Sequence, residues 1–517
     1  MNHRQSFLKG ALILSVAGAI SKILGAVYRI PLARLIGAEG IGLYQMAYPI
    51  YTTILALATA GVPVAISILI ARKETQGFPG ESRRILRVSL LLLTVFGLLL
   101  TLVVIASSKF LAWYVLKDGR AYYAIVAVAP AIFLAALMSV FRGYFQGQQS
   151  MIPTAVSQVV EQIFRVTAVL FLAYLLYPRG LEFAAAGATF GAVVGGIGGL
   201  LVLVVFYNWH RQQQKQAGLN LLHTSTPPWT LATEMVRLAV PVSFGAVVLP
   251  LVQMLDAVIV PGRLLALNYS TSQATALYGY LAGMAAVLIS LPTIFTISIS
   301  TSLVPAISEA LTRQDRRLLN ERLNHGFRAG MMISFPAAAG LYILAFPICD
   351  LLYGHAEAGV PLEPLAFSAI VLAAFQISSA GLQGIGRPEI AMRHLIITGV
   401  LKVIFNYSLT SVPALNIRGA AIGTVLAFTL GSLLNIISLK KSTGIQYEIG
   451  RMFKLILATL IMALSTRSFY YWLLGFDIGS HIATLLAVLC GMIVYLILLI
   501  LTREMDYDML KRLRGRE

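Results

Sequence analysis

Runs of about 20 apolar residues follow one another from one end of this 517-residue chain to the other. Each is long enough to cross ~30 Å of hydrocarbon as a helix. A helix pairs its backbone N–H and C=O groups internally, which a lipid solvent demands. Composition agrees: 58% of residues are hydrophobic and 12% charged, against roughly 25% charged in soluble chains. The pattern predicts an all-α polytopic membrane protein of about fourteen spans. They fall near 8–30, 41–71, 86–107, 121–145, 152–177, 183–207, 232–260, 274–303, 326–348, 363–384, 391–412, 417–439, 452–473 and 481–501. No intervening stretch has the length or polarity of a soluble domain. The basic N-terminus and its apolar run resemble a signal peptide, but the run continues without a small-residue cleavage site and reads as a retained helix.

The net charge of +18 would fit nucleic acid if the cations shared one surface. They cluster instead in short loops, so nucleic acid is excluded as a partner and anionic membrane lipids are expected there. Of the 39 Lys and Arg residues, 26 fall on the side of Arg4 and Lys9, nine on the opposite side, and four (Lys22, Arg165, Arg237, Lys402) within spans. Arg142 is counted among the 26. This asymmetry places both termini in the cytoplasm. The two cysteines, Cys349 and Cys490, lie in or beside apolar runs and read as small hydrophobes.

The chain repeats itself. Ala65-Ile66-Ser67 matches Ala306-Ile307-Ser308, Ile163-Phe164 matches Ile404-Phe405, and Gly187-Ala188-x-x-Gly191 matches Gly419-Ala420-x-x-Gly423. The offsets are 241, 241 and 232 residues. Two homologous six-helix halves are expected, 1–220 and 228–440, followed by a helix pair at 451–502 and a basic cytoplasmic tail at 503–517. Six is even, so both halves keep one orientation about an axis along the membrane normal, with binding expected between them.

Charges within spans carry the functional expectations, because a charge in hydrocarbon costs at least ~2.5–3.5 kcal/mol and normally faces a bundle interior or a water-filled cavity. Lys22 and Arg29 lie two helical turns apart on one face, with Gly18 and Gly25 on the same stripe. Such a stripe suits phosphate, to which Arg offers a bidentate fork and Lys a point charge. Arg34 follows near the boundary. Glu161 and Arg165 form an i,i+4 pair beside Gln158 and Gln162, and an offset of 241 aligns them with Lys402 and Asn406. These four read either as bonds holding the bundle or as a cavity wall. Gln253 and Asp256, with Arg263 two turns beyond, read as counter-ion or structural pair; Arg263 and Arg34 also suit snorkelling. Phosphate-cradling loops, zinc clusters and nucleophile motifs are absent. The carboxylates expected in outward loops (Glu39, Asp118, Glu182, Asp350, Glu357, Glu363, Asp477) make no acid/base pair, so no enzyme activity, cofactor or metal is expected.

The stretch FLKGALILSVAGAISKILGAVYRIPLARLIGAEGIGLYQMAYPIY, the GVPVAIS that follows, and FRGYFQGQQSMIPTAVSQVVEQ resemble the stage V sporulation protein B and polysaccharide-transporter family. That family is part of the multidrug/oligosaccharidyl-lipid/polysaccharide exporter superfamily, and the resemblance covers essentially the whole chain. It implies two pseudo-symmetric six-helix lobes and two extra helices in a bacterial cytoplasmic membrane. It also implies export of an undecaprenyl-diphosphate-linked saccharide, such as a lipid II-type peptidoglycan precursor for spore cortex, with cell-wall synthesis proteins as possible partners. Against the first-helix pattern of the lipid II flippases, Ser-Arg-x-Leu-Gly, this chain has Ser21-Lys22-Ile23-Leu24-Gly25, so Lys22 stands where the resemblance implies a cavity arginine. Arg34 and Leu255-Asp256 also match. An Arg-Asp pair of that family falls on Tyr28-Arg29, and its cation early in span 8 falls in the neutral Tyr278-Gly279-Tyr280-Leu281. The alternatives are export of a teichoic or other saccharide lipid, drug antiport, a membrane glycosyl polymerase and a non-transporting scaffold. Cations outnumbering acids argue against a cationic drug, the lack of a carboxylate pair against a polymerase, and buried charge against a scaffold.

Overall fold

The computed structural model describes residues 7–76, 78–216, 227–502 and 504. The described residues form helices joined by short turns, with no strand. Eleven segments are long and apolar enough to cross a membrane, or thirteen if two bent helix pairs each count as one span. The difference from fourteen lies at the first of them, Leu12–Thr75, which runs as one helical stretch of 64 residues where the sequence pattern separates 8–30 from 41–71. No loop divides it. A single glycine does: Gly37 has φ 68° and ψ −177°, a region open essentially to glycine alone. The tail expected at 503–517 lies outside the described residues, Glu504 apart.

The chain forms two compact units. The first holds residues 1–265 and 269–279, the second 266–268 and 280–517. Among the described residues of the first, ten α-helices follow: α1 (Phe7–Val27), α2 (Arg29–Thr59), α3 (Val62–Thr75), α4 (Pro79–Phe110), α5 (Ala121–Val128), α6 (Pro130–Gly147), α7 (Ile152–Leu176), α8 (Leu181–Gln216), α9 (Pro228–Ala266) and α10 (Thr271–Tyr278). A π-helical stretch, Gly279–Ala285, leads from α10 into the second unit. There follow α11 (Ala286–Thr312), α12 (Arg316–Ile343), α13 (Ala345–Tyr353), α14 (Gly359–Leu365), α15 (Ser368–Gly384), α16 (Pro388–Thr410), α17 (Ile417–Thr443), α18 (Ile449–Leu474) and α19 (Ser480–Leu501). Helices α18 and α19 pack on one another and on α12 and α13, burying Leu455, Ala458, Met462 and Leu473.

Small residues set the spacing, as expected where lipid tails remove the hydrophobic drive between helices. On α8, Gly187, Gly191, Gly195 and Gly199 recur every fourth residue and lie flat on α7: a Cβ at Gly195 would stand 2.7 Å from the Glu161 carbonyl oxygen. The repeat reappears in these contacts. In the first unit a Cβ at Gly143 on α6 would meet the Ile66 Cβ on α3 at 2.9 Å; in the second, a Cβ at Gly384 on α15 would meet the Ile307 Cβ on α11 at 2.7 Å. Both residues of this contact are displaced by 241. Likewise Gly191 on α8 backs onto the Arg165 carbonyl of α7, and Gly423 on α17 onto the Asn406 backbone of α16. Apolar side chains such as Leu91 (73% exposed) and Phe171 (61%) form the outer surface that lipid would cover. Trp113 and Tyr114 in the π-helical stretch Leu111–Val115 that follows α4, with Trp209 and Trp229 elsewhere in the first unit, are exposed as interfacial aromatics are.

Two junctions close on α2. At one, Cβ atoms at Gly42 and Gly279 would collide with the carbonyls of Thr275 and Ala38 respectively, so α2 and α10 touch backbone to backbone. There the Asp118 carboxylate, 3% exposed, accepts from Arg120 Nε at 3.0 Å, from Arg120 Nη2 at 2.8 Å and from Thr275 Oγ1 at 2.8 Å. Arg120 also bonds Glu39. Two carboxylates with no apparent partner in the linear sequence thus share one arginine. Hydrogen bonding to Asp118 raises the Arg120 guanidinium above its ordinary value, against partial burial, so this ion cluster stays charged wherever its carboxylates are ionised. At the other junction a Cβ at Gly61 would collide with the Ala239 carbonyl of α9, and Ser243 Oγ accepts from Gly61 N at 3.0 Å.

Overpacking typically costs ~1–3 kcal/mol. Gly279→Ala is therefore expected to lower the melting temperature of the detergent-solubilised protein. Gly18→Ala should not lower it, because nothing lies within 4 Å of a Cβ there. Asp118→Asn, which weakens the Arg120 and Thr275 bonds, should cost about 1–3 kcal/mol; an unchanged melting temperature would show that the cluster contributes nothing to stability.

Candidate functional site

The first crossing carries its charges differently along its length. Helical bonds from Tyr28 N to the Leu24 carbonyl (3.3 Å) and from Leu32 N to the Tyr28 carbonyl (3.1 Å) continue across the α1–α2 junction. Lys22 is exposed on α1, Arg29 is half-buried at the start of α2, and Arg34 is exposed one turn further. Of the two glycines expected to admit a neighbour, Gly25 does so: a Cβ there would stand 3.3 Å from Gln162 Nε2 of α7. Gly18 faces open space, which corrects that part of the expectation.

A tyrosine ladder rises along α2. Tyr44 and Tyr48 stack with ring centres 5.4 Å apart, and Tyr48 meets Tyr51 at 5.8 Å. The spacing of four and then three residues puts all three rings on one helical face. Arg29 Cζ lies 5.9 Å from the Tyr48 ring centre, within cation–π range, and its Nε is buried with no hydrogen-bond partner among the described residues. At the foot of the ladder the hydroxyls of Tyr28 and Tyr44 are bonded at 2.8 Å.

Beyond Tyr51 lies a cavity of about 230 Å³, walled by α2 (Tyr48, Tyr51, Thr52), α6 (Ser139, Arg142) and α7 (Glu161, Arg165). The expected i,i+4 pair is made: Arg165 Nη2 donates to Glu161 Oε1 at 2.6 Å. A third member joins it. Arg142 Nη2 donates to Glu161 Oε2 at 2.8 Å, and Arg142 Nε donates to Ser157 Oγ at 3.2 Å. The sequence pattern groups Arg142 with the loop charges; in the structure it stands inside α6, its side chain 18% exposed. The signal that could have found it is its spacing: it lies one turn beyond Ser139, so both share the α6 face that meets α7. Two guanidinium groups and one carboxylate leave this wall with one net positive charge.

The other predicted residues are not among those that line this cavity. On α9, Gln253 is exposed while Asp256 and Arg263 are half-buried. In the second unit, Lys402 is half-buried and Asn406 is 1% exposed. Asn406 packs against Gly423, where a Cβ would stand 3.0 Å from its backbone nitrogen. Gly191 meets Arg165 at the corresponding place, but the second unit has an amide where the first has a guanidinium. Among the described residues no group of three or more His, Cys, Asp or Glu side chains could hold a metal.

The second unit has a cavity of another kind. About 370 Å³ opens between α12 and the α18–α19 pair, walled by Pro336, Gly340, Leu341, Met462, Met492 and Leu496 among others. Thr466 and Tyr495 are its polar members, and Tyr495 donates its hydroxyl to the Met332 carbonyl at 3.0 Å.

These features agree with what the chain is similar to. The family described as polysaccharide biosynthesis protein matches residues 7–311, and the family described as MatE matches 265–408. Stage V sporulation protein B of Bacillus subtilis (strain 168) is 31% identical over 513 residues, covering 99% of this chain and 98% of that protein. Lipid II flippase MurJ of the same organism is 30% identical, over 95% of this chain and 94% of that protein. Among solved structures, lipid II flippase MurJ in an inward closed conformation aligns with a TM-score of 0.70 at 18% identity, over 95% of this chain and 99% of that one. An inward-facing multidrug resistance MATE family transporter of the MOP superfamily aligns at 0.66 and 17%, over 82% and 94%. With its helical architecture, its repeated glycine contacts and a family match over more than half its length, this chain is a multi-pass membrane protein of the polysaccharide biosynthesis protein family, with the fold of the MOP superfamily.

Proposed function

We propose that this chain is a flippase that moves an undecaprenyl-diphosphate-linked saccharide across the bacterial cytoplasmic membrane by alternating access. In this reading it is a carrier rather than a catalyst. The observation that carries it is the cationic, tyrosine-lined wall of the first unit, where Arg29 lies over Tyr48 and Arg142 and Arg165 outnumber Glu161. An anionic diphosphate suits that charge and a cationic drug does not. Lys22 and Arg29 take the diphosphate, and Arg34, Gln253, Asp256 and Arg263 extend the polar surface of the first unit; in the second unit Lys402 and Asn406 form a polar pair of their own. Tyr48 and Tyr51, which line the cavity, offer ring surface to the saccharide. The apolar cavity beside α18 and α19 takes part of the polyprenyl tail, which gives the two extra helices a purpose.

The relatives named stage V sporulation protein B and lipid II flippase favour a lipid II-type peptidoglycan precursor, used for spore cortex, over a teichoic or capsular lipid. Lobes at 1–220 and 228–440, a helix pair at 451–502 and cytoplasmic termini complete the proposed organisation. Anionic lipids gather at the basic loops, and cell-wall synthesis proteins receive the product.

Reconstitution into liposomes with defined undecaprenyl-linked saccharides tests the reading directly. Charge-assisted bonds to phosphate are worth ~1.5–3 kcal/mol each, and ~1.4 kcal/mol is one decade in affinity. Lys22→Gln/Arg29→Gln should therefore weaken substrate binding tenfold to a hundredfold or more, with membrane insertion intact. Unchanged flipping at equal abundance would leave these two residues as structural charges.

A further inference from the structure

The cavity against α2, α6 and α7 holds an uneven ion cluster. A fixed structural pair needs one arginine for one carboxylate. Here Glu161 serves two, through different oxygens: Oε1 accepts from Arg165 and Oε2 from Arg142. The surplus positive charge sits in a membrane-spanning helix, where an uncompensated charge is costly, and a bound anion would relieve it. The two guanidinium groups already converge on one carboxylate, and guanidinium forks match phosphate oxygens as well. Arg165 retains a donor for it: its Nε is buried with no hydrogen-bond partner among the described residues. The cavity of about 230 Å³ beside them gives the ligand room.

We infer that Arg142 and Arg165 form a phosphoryl-anion site in which Glu161 is a built-in competitor, spanning the two arginines when the site is empty and displaced when a phosphate or diphosphate binds. The site's ligand chemistry is phosphoryl oxygen, from a lipid-linked diphosphate or from a free anion; the first choice rests on the flippase reading above. The internal carboxylate sets a threshold. A weakly held monoanion does not displace it, whereas a multiply charged phosphoryl group, bonding both arginines, does. After release Glu161 closes back on the arginines, so the empty site carries one surplus positive charge rather than two.

The test uses the full-length protein in nanodiscs of zwitterionic lipid, with inorganic pyrophosphate as the probe and calorimetry as the readout. Glu161→Gln keeps the side-chain volume and removes the competing charge, so pyrophosphate should bind at least tenfold more tightly than to wild type. Arg142→Met should weaken it at least tenfold. A merely structural cluster gives no tightening in Glu161→Gln, and that result overturns the inference. If Glu161→Gln does not fold, wild-type protein decides: pyrophosphate should protect Arg142 and Arg165 from phenylglyoxal, mapped by mass spectrometry, and lack of protection at both overturns it. Undecaprenyl diphosphate that displaces pyrophosphate identifies the lipid as a ligand source; failure to displace assigns the site to a free phosphoryl anion. Protection without any flipping of undecaprenyl-linked saccharides would remove the flippase reading and leave the anion site standing. Flipping that depends on Lys22 and Arg29, without protection at Arg142 and Arg165, would remove this inference alone.

Discussion

Placing a carboxylate inside a membrane protein obliges the fold to supply cations, and the first unit is built around meeting that obligation at Glu161. Its two oxygens take one arginine from its own helix and one from α6. For all three side chains to reach the same cavity, α7 must turn its polar face toward α2 and α6 and its back to α8. The glycine row of α8 permits this: Gly191, Gly195 and Gly199 lie against the backbone and β-carbons of Arg165 and Glu161, with no side chain to push α7 away. The close backbone approach thus positions the charges as well as filling space.

The same construction occurs in the second unit with different chemistry. Gly423 backs onto Asn406 as Gly191 backs onto Arg165, and Gly384 meets Ile307 as Gly143 meets Ile66. Backbone packing has been kept while the polar cargo has changed, from a carboxylate and guanidinium pair to Lys402 and an amide. An ion cluster inside a helix bundle is expensive unless each partner is present. Duplication of the scaffold without duplication of the cluster is therefore a coherent outcome: the second copy has neither the acid nor the arginine.

The closed junctions on α2 show how one helix can be held at both ends by different physics. Near Gly42 and Gly279 the contact is backbone to backbone, reinforced by Asp118 and Arg120. Near Gly61 it is backbone to backbone with one hydroxyl, Ser243. Between them α2 presents its tyrosine ladder and the cavity wall. The π-helical stretch after α10 lies where the chain leaves the first unit, and such turns frequently mark functional sites in helices.

Much of this was legible in the linear chain. Apolar runs of about 20 residues dictate helices because lipid leaves no other way to satisfy the backbone. The duplication shows in Ala-Ile-Ser and Gly-Ala-x-x-Gly, and the Glu161–Arg165 pair in a spacing of four, since local helical geometry alone brings such residues together. What lies between helices was not legible. Arg142 reads as a loop charge until α6 is laid against α7, and Glu39 and Asp118 read as unrelated carboxylates until Arg120 joins them. The first two spans read as separate because the pattern does not reveal that one left-handed glycine, Gly37, replaces a loop. Local periodicity is set by neighbours in sequence and survives in the linear text. The pairing of charges 19 or 81 residues apart depends on which faces the packed helices turn to one another, and only the folded chain decides that.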